Sequence, residues 1–230
     1  MTPNRNLRST PFFKNYTTKL IQTLNSINYK KLDRIYKILD LAMQNGNQIF
    51  TAGNGGSASI ANHFLCDFNK GIKNSSNKKL KPKIISLSNS IELMTAISND
   101  MNYDKIFSFQ LENYVKKNDC LILFSCSGTS KNILEAIKSA KKHKVKIIFI
   151  TGFAKKNIKN IDLHLNLNCK NYGITEDIFS SIMHMISQFI RYRFNKKEIL
   201  WYIINLDKVA QYFYFKILII MKLFLLIYAC

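Results

Sequence analysis

The chain has 230 residues, 47% of them hydrophobic, which is enough to bury the core of one domain with appendages. Its formal net charge of +20 comes from 34 Lys and Arg against 14 Asp and Glu. The basic residues are mostly Lys, spread along the chain, and no basic stretch is interleaved with aromatic residues. This excludes a recognisable nucleic-acid platform, so we interpret the charge as solvated lysine faces and expect no nucleic-acid partner.

The five cysteines are odd in number and scattered, and none belongs to a C-x-x-C pair. This pattern argues against a zinc ribbon and a disulfide framework, and it indicates a reducing compartment. The first ten residues are polar, so the sequence predicts no secretory signal peptide. We therefore expect a cytoplasmic protein.

The predicted elements begin with two helices between residues 12 and 45. Apolar residues recur there at helical spacing in two stripes: Leu20, Ile21, Leu24 and Ile27, then Leu32, Ile35, Ile38, Leu39 and Leu41. The run Asn45-Gly46-Asn47 is typical of a helix end. The remainder of the chain follows a different pattern.

Short apolar runs then alternate with helical segments. The predicted strands are 48–52, 83–87, 120–125, 145–151 and 163–167. The predicted helices are 57–69, 90–97, 103–114, 131–142 and 176–193, and residues 74–81 are predicted to be a polar surface loop. Apolar strands that alternate with helices predict an α/β fold whose parallel sheet is covered on both faces.

Residues 212–230 form a strongly apolar stretch that could nearly span a membrane. Lys216 and Lys222 interrupt it, and Lys222 would lie near the bilayer centre at a cost of about 2.5–3.5 kcal/mol. The sequence therefore favours a segment that packs on the domain or on a partner over a membrane anchor. We predict one domain over residues 1–195 and an apolar C-terminal extension over residues 196–230.

The most informative motif is the glycine-rich run at residues 53–57, which follows a predicted strand and precedes a predicted helix. Glycines let the backbone approach a ligand closely, and a helix N-terminus offers unpaired N–H groups to an oxyanion. The run lacks the G-x-G-x-x-G and G-K-[ST] patterns, which argues against a dinucleotide fold and a P-loop. The alternative is a tight strand-to-helix connection without a ligand.

A second motif, Ser125-Cys126-Ser127-Gly128-Thr129-Ser130, also follows an apolar strand and precedes a helix. One serine would suffice to cap that helix. The surplus hydroxyl groups favour a second oxyanion cradle over a simple N-cap cluster.

Four further side chains form a candidate metal or acid–base set: His63, Asp67, Glu176 and His184. His63 and Asp67 share one helix face at a spacing of four residues. Glu176 and His184 are eight residues apart, about 12 Å along a helix axis, so they would share one ion only if Glu176 precedes the regular helix. His184 has apolar neighbours, so a satisfied core histidine is the alternative there. His143 and His164 are interpreted as structural.

These landmarks together resemble the SIS (sugar isomerase) domain family, most closely its phosphoheptose isomerase branch. The resemblance covers residues 15–193 and includes Ser98-Asn99-Asp100, Asn132-Ile133-Leu134 and Thr151-Gly152 in order. It implies a flavodoxin-like three-layer sandwich with a parallel five-stranded sheet. It also implies a homo-oligomer, usually a tetramer, with sites at subunit interfaces.

The resemblance also implies roles for individual residues. Sugar-phosphate contacts are implied for Asn54, Gly55, Gly56, Ser57, Asn99, Asp100 and Glu176, and phosphate contacts for Ser125, Cys126, Ser127 and Ser130. One zinc ion per subunit and the acid–base chemistry are implied at His63, Asp67, Glu176 and His184. The family commonly has Glu where this chain has Asp67, and Gln where it has Glu176.

The function implied is an aldose–ketose isomerase that converts sedoheptulose 7-phosphate to D-glycero-D-manno-heptose 7-phosphate for lipopolysaccharide precursor synthesis. Asp67 or Glu176 would be the base and His184 the acid. One alternative is a non-catalytic SIS domain that binds a phosphosugar or a protein, of the replication-initiator-associating type. Another is an isomerase for a different phosphosugar of a surface-polysaccharide pathway.

Overall fold

A computed structural model describes residues 8–77, 79–155 and 158–194. The predicted extension over residues 196–230, with its apolar stretch, lies outside these ranges, so the predicted domain boundary stays a prediction. Among the helices in the described ranges, none has both the length and the apolar character needed to cross a bilayer.

The two predicted N-terminal helices are present as α1 (Ser9–Asn25) and α2 (Tyr29–Gln44). Helix α2 starts after Asn28, whose side chain accepts a hydrogen bond from the Lys31 N–H. Two of the residues assigned to the apolar stripes do not face the core, because Ile21 is 51% exposed and Leu41 is 58% exposed. The helical prediction is confirmed.

The sheet consists of five parallel strands in the order β2-β1-β3-β4-β5. The strands are β1 (Ile49–Gly53), β2 (Ile84–Ser86), β3 (Cys120–Ser125), β4 (Lys146–Thr151) and β5 (Leu163–Asn166). Every residue of β1 and β3 is buried, as expected for strands covered on both faces. All five predicted strands are confirmed, with ends that differ by at most one residue.

Helices cover both faces of this sheet, each over its own hydrophobic cluster. One face carries α1, α2, α3 (Gly56–Cys66) and α8 (Tyr172–Tyr192). The other face carries α5 (Ile91–Asp100), α6 (Ser108–Tyr114) and α7 (Lys131–Lys142). The described residues therefore form the three-layer α/β sandwich that the sequence predicts.

Several predicted boundaries differ from the structure. The helix predicted at 57–69 continues through a π-helical segment (Asp67–Ile72) and the short α4 (Lys73–Ser75), so the loop predicted at 74–81 starts too early. That loop is also less exposed than predicted, because Ser76 and Leu80 are buried and the Leu80 N–H donates to Ser76 Oγ at 3.2 Å. The buried side chain of Ser76 thus holds this turn against the core.

The helix predicted at 103–114 is divided into a 3₁₀ turn (Tyr103–Lys105) and α6, with buried Ile106 and Phe107 between them. Helix α8 starts four residues earlier than predicted. Asn171 caps it, because its Oδ1 accepts a hydrogen bond of 2.9 Å from the Ile174 N–H.

The sheet order places a topological switch point between β1 and β3. The chain moves from β1 to β2 on one side and to β3 on the other, so the loops after β1 and β3 diverge. In open parallel sheets this divergence opens a crevice at the carboxyl ends of the strands, where ligands bind. Both oxyanion motifs of the sequence lie at this edge.

Candidate functional site

A pocket of about 340 Å³ lies at the carboxyl ends of β1 and β3. Its lining residues are Asn54, Gly55, Gly56, Ser57, Phe124, Ser125, Cys126, Ser127, Ser130, Tyr172 and Glu176. The structure therefore brings together all the predicted substrate contacts except Asn99 and Asp100. Those two lie exposed at the C-terminal end of α5, where Asn99 Nδ2 donates to Asp100 Oδ1 at 3.0 Å. Their contact with a ligand stays a prediction.

The first wall of the pocket is the loop from β1 to α3. Gly55 has φ 56°, a left-handed conformation that side-chain-bearing residues rarely adopt. A Cβ atom at Gly56 would lie 2.5 Å from Glu176 Cδ, so only glycine leaves the Glu176 carboxylate in its place. The glycine motif therefore allows the turn after β1 and leaves room for the Glu176 carboxylate of α8.

The second wall is the serine loop from β3 to α7. Ser125 Oγ accepts a hydrogen bond of 3.2 Å from the Gly128 N–H, and Ser127 Oγ accepts one of 3.0 Å from Thr129 Oγ1. Ser130 is the N-cap residue of α7, yet its side chain makes no capping hydrogen bond. The Ser130 hydroxyl group therefore does not cap α7, as the surplus of hydroxyl groups in the sequence suggested.

Three helix N-termini meet at this pocket. Helix α3 begins with Gly56, α7 follows Ser130, and α8 begins with Tyr172, and all three residues line the pocket. Each N-terminus carries a partial positive charge and N–H groups, which favour a bound anion. None of the described lining residues is Lys or Arg, so hydroxyl groups and main-chain dipoles are the groups that these residues offer an anion.

Cys126 lies between the two walls and is buried. Its Sγ is 3.9 Å from Glu176 Oε1 and 4.0 Å from Ser57 Oγ. Burial, reinforced by the charge of Glu176, raises the pKa of the Cys126 thiol to about 11. The thiol is therefore neutral at neutral pH and adds no negative charge to the pocket.

A second group of side chains lies farther along the helix pair formed by α3 and α8. His63 Nε2 and His184 Nε2 are 3.0 Å apart, and Asp67 places one oxygen 3.8 Å from the first and the other 3.6 Å from the second. We call His63, Asp67 and His184 the histidine cluster. One potential ligand atom from each lies within 4.8 Å of the others, so the three residues form a candidate metal-binding triad.

The side chain of His184 is 42% exposed, which excludes the alternative of a core histidine. A buried neighbour, Ser187, supports the cluster: its Oγ donates to Asp67 Oδ2 at 3.3 Å, with His184 O as its other acceptor at 3.2 Å. Ser187 was not among the residues predicted from the sequence. Its position three residues after His184, on the same helix face, was the available signal.

Glu176 is not part of the histidine cluster. The sequence allowed a shared ion only if Glu176 preceded the regular helix, but it is the fifth residue of α8. It therefore lies about 12 Å along the helix axis from His184, at the pocket. The structure brings together three of the four predicted metal ligands and places the fourth against Gly56 and Cys126.

The other two histidines have structural surroundings, as predicted. His143 Nδ1 lies 2.9 Å from Ser139 O beside the end of α7. His164 lies in the edge strand β5, stacks on Phe149 and contacts Thr151 Oγ1 at 2.9 Å, and burial lowers its pKa.

Three further residues at the pocket were not predicted from the sequence as site residues. Tyr172 lines it, and Tyr103 and Asn132 form hydrogen bonds to the side chain of Asn54. Asn132 lies two residues after the serine motif, which was a usable signal. Nothing in the sequence alone distinguishes the two tyrosines from the other nine.

Comparisons with known proteins define the class to which this site belongs. The family model described as "SIS domain" matches residues 12–152. The chain belongs to the SIS domain family. A protein of Thermoplasma acidophilum described as a probable phosphoheptose isomerase is 33% identical over 183 residues, which cover 79% of this chain and 98% of that protein.

Other similar proteins carry the same description. A phosphoheptose isomerase of Campylobacter concisus is 41% identical over 110 residues, covering 48% of this chain and 57% of that protein. A solved phosphoheptose isomerase structure from Neisseria gonorrhoeae matches with a TM-score of 0.70 and 23% identity, over 80% of this chain and 98% of that one. The structural match bears on the fold and confirms the predicted architecture.

Proposed function

We propose that this protein is an aldose–ketose isomerase of phosphosugars that converts sedoheptulose 7-phosphate to D-glycero-D-manno-heptose 7-phosphate. One observation carries the proposal. A pocket lined by hydroxyl groups and helix N-termini and a histidine cluster lie on the same pair of helices, in a chain that is 33% identical to a probable phosphoheptose isomerase over 98% of that protein.

Glu176 is the carboxylate best placed to be the base. It lines the pocket, and its contacts are with Gly56 and the neutral Cys126 thiol. Both oxygens of Asp67, in contrast, face the two histidines, and one of them accepts the Ser187 hydroxyl group. We therefore propose Glu176 as the base and Asp67 as a support of the two histidines.

The reaction moves protons between adjacent carbons and between their oxygens. Glu176 would remove a proton from C1 of the ketose while the C2 carbonyl oxygen gains one from solvent, forming an enediol. His184, about 12 Å farther along α8, would act within the histidine cluster. Return of a proton to C2 and loss of the O1 proton give the aldehyde. The serine loop holds the phosphate during both steps.

The histidine cluster also fits a divalent metal, and we propose zinc, one ion per subunit. Two imidazole nitrogens and a carboxylate are a typical catalytic zinc set that leaves a coordination position open. A bound ion would supply Lewis-acid stabilisation of a substrate oxygen. We further propose a homotetramer, a cytoplasmic location and a role in lipopolysaccharide precursor synthesis, on the strength of the resemblance to phosphoheptose isomerases.

The test is turnover of sedoheptulose 7-phosphate by the purified full-length chain, followed by chromatographic separation of the two heptose phosphates. Asp67→Asn and His184→Gln serve as inactive controls, and other ketose phosphates are assayed in parallel. We expect conversion by the wild type alone. A well-folded wild type that binds a phosphosugar but turns over none of the panel would overturn the proposal in favour of a non-catalytic SIS domain. Turnover of a different ketose phosphate only would overturn the assigned substrate.

A further inference from the structure

The side-chain amides of Asn54 and Asn132 form a closed pair beside the pocket. Asn54 Nδ2 donates to Asn132 Oδ1 at 2.9 Å, and Asn132 Nδ2 donates to Asn54 Oδ1 at 2.9 Å. Asn54 lines the pocket, whereas Asn132 is only 1% exposed and lies behind it on α7. A buried polar side chain thus contacts a ligand-facing one through two hydrogen bonds.

The orientation of this pair follows from a backbone donor. The Ile133 N–H also donates to Asn132 Oδ1, at 2.9 Å. An N–H group needs an acceptor, so the atom that it contacts is the Asn132 oxygen, and the Asn132 nitrogen must face Asn54. The donor and acceptor atoms of Asn54 are therefore determined as well.

A third residue, Tyr103, also forms a hydrogen bond to the side chain of Asn54. Tyr103 OH donates to Asn54 Oδ1 at 3.0 Å, from the 3₁₀ turn that packs beside α7. Asn54 Oδ1 now accepts two hydrogen bonds, which matches its two lone pairs. Asn54 Nδ2 has given one N–H to Asn132 and has a second N–H left to donate.

We propose that Asn132 and Tyr103 are positioning residues that make Asn54 a fixed N–H donor to an oxygen of the bound sugar phosphate. The inference rests on the proposed function. Because its carbonyl oxygen is saturated, Asn54 offers a ligand a donor and no acceptor. It therefore favours a phosphate or carbonyl oxygen over a hydroxyl group that needs to donate. A pre-oriented amide also loses less conformational freedom when the ligand binds.

The first test is Tyr103→Phe, with Tyr114→Phe as the matched control because Tyr114 is an exposed tyrosine at the end of α6. Loss of one neutral hydrogen bond corresponds to about a 3- to 10-fold change in an equilibrium constant. We expect Tyr103→Phe to raise KM for sedoheptulose 7-phosphate by about 3- to 10-fold with kcat nearly unchanged. Its melting temperature should match that of Tyr114→Phe.

The second test is a double-mutant cycle with Asn54→Ala. If Tyr103 acts through Asn54, Tyr103→Phe raises KM in the wild-type background and has no further effect in the Asn54→Ala background. Asn132→Asp should behave in the same way, because it keeps the acceptor for Ile133 N–H but replaces the donor that faces Asn54 Oδ1. A merely structural role would give equal effects in both backgrounds.

The outcomes separate the two proposals. Turnover by the wild type with KM unchanged in Tyr103→Phe overturns this inference alone. So does an effect of Tyr103→Phe that persists in full when Asn54 is Ala. Absence of phosphosugar turnover by the wild type overturns the proposed function and this inference with it. If Asn132→Asp fails to fold, the double-mutant cycle of Tyr103→Phe and Asn54→Ala still tests this inference.

Discussion

The pocket and the histidine cluster are built in opposite ways, although both lie on α3 and α8. The pocket consists of loops at the carboxyl edge of the sheet, where hydroxyl groups and three helix N-termini converge. The histidine cluster consists of side chains from α3, from the π-helical segment that follows it and from α8, which meet where these helices pack together. The first depends on where the strands end, and the second depends on which residues the helices carry.

The two regions also hold the two carboxylates of the predicted acid–base set. Glu176 lines the pocket, and Asp67 belongs to the histidine cluster. The hydroxyl and main-chain N–H groups around the pocket do not depend on either carboxylate. We therefore expect changes at these positions to alter turnover strongly and phosphate affinity weakly.

The largest expected effect is that of Glu176→Gln. A positioned general base contributes about 10²–10⁴-fold to the rate, so kcat should fall by this factor, while the KM for the sugar phosphate changes only a few-fold. Zinc affinity should stay the same, because Glu176 lies outside the histidine cluster. Steady-state kinetics and titration calorimetry check both statements.

The matched control for this variant is Asp177→Asn, the next residue on α8, whose carboxylate accepts the Tyr16 hydroxyl group at the surface. It should retain wild-type kcat. Wild-type kcat in Glu176→Gln, together with inactivity in Asp67→Asn, would transfer the base role to Asp67.

The next largest effect is expected for Gly56→Ala. The new methyl group would overlap the Glu176 carboxylate and displace it, and misplacement of a catalytic group by about 1 Å can cost roughly 10²-fold in rate. Ala58→Gly in the same turn is the control for altered helix propensity. If Gly56→Ala keeps wild-type kcat with a wild-type fold, the close contact between Gly56 and Glu176 has no catalytic role.

The sequence predicts the pocket better than the histidine cluster, for a physical reason. Strand ends and helix starts are encoded locally, in the apolar runs and in the glycine and serine motifs, so β1, β3 and their loops could be located directly. The separation of Glu176 from the histidine cluster could not be located in this way. It depends on Asn171, which starts α8 four residues before the predicted start. Ser187 and Tyr103 were also missed, since each acts through a partner more than 40 residues away in the chain.

Ser187→Ala should weaken the histidine cluster without touching the pocket. The Ser187 hydroxyl group orients Asp67, and loss of a group that orients a metal ligand typically costs 10–100-fold in metal affinity, so we expect zinc binding to weaken by about tenfold. Ser181→Ala is the matched control, because Ser181 lies on the same helix and bonds only to the backbone of its own turn. Zinc competition with a chromophoric chelator measures both. Equal zinc affinities for the two variants would show that the Ser187 hydroxyl group bonds to the backbone of α8 and does not orient Asp67.

The smallest expected effect concerns the thiol inside the pocket. Because the pKa of Cys126 is raised to about 11, the thiolate is scarce at neutral pH and its fraction rises about tenfold per pH unit below that value. Iodoacetamide should therefore modify Cys126 far more slowly than the exposed Cys66, at a rate that climbs steadily with pH, as followed by peptide mass spectrometry. The charge of Glu176 contributes to the raised pKa, so Glu176→Gln should lower it and accelerate alkylation of Cys126 while leaving Cys66 unchanged. Equal rates for Cys126 in the wild type and in Glu176→Gln would mean that this carboxylate does not face the pocket in solution, which would remove the geometric basis for its role as base.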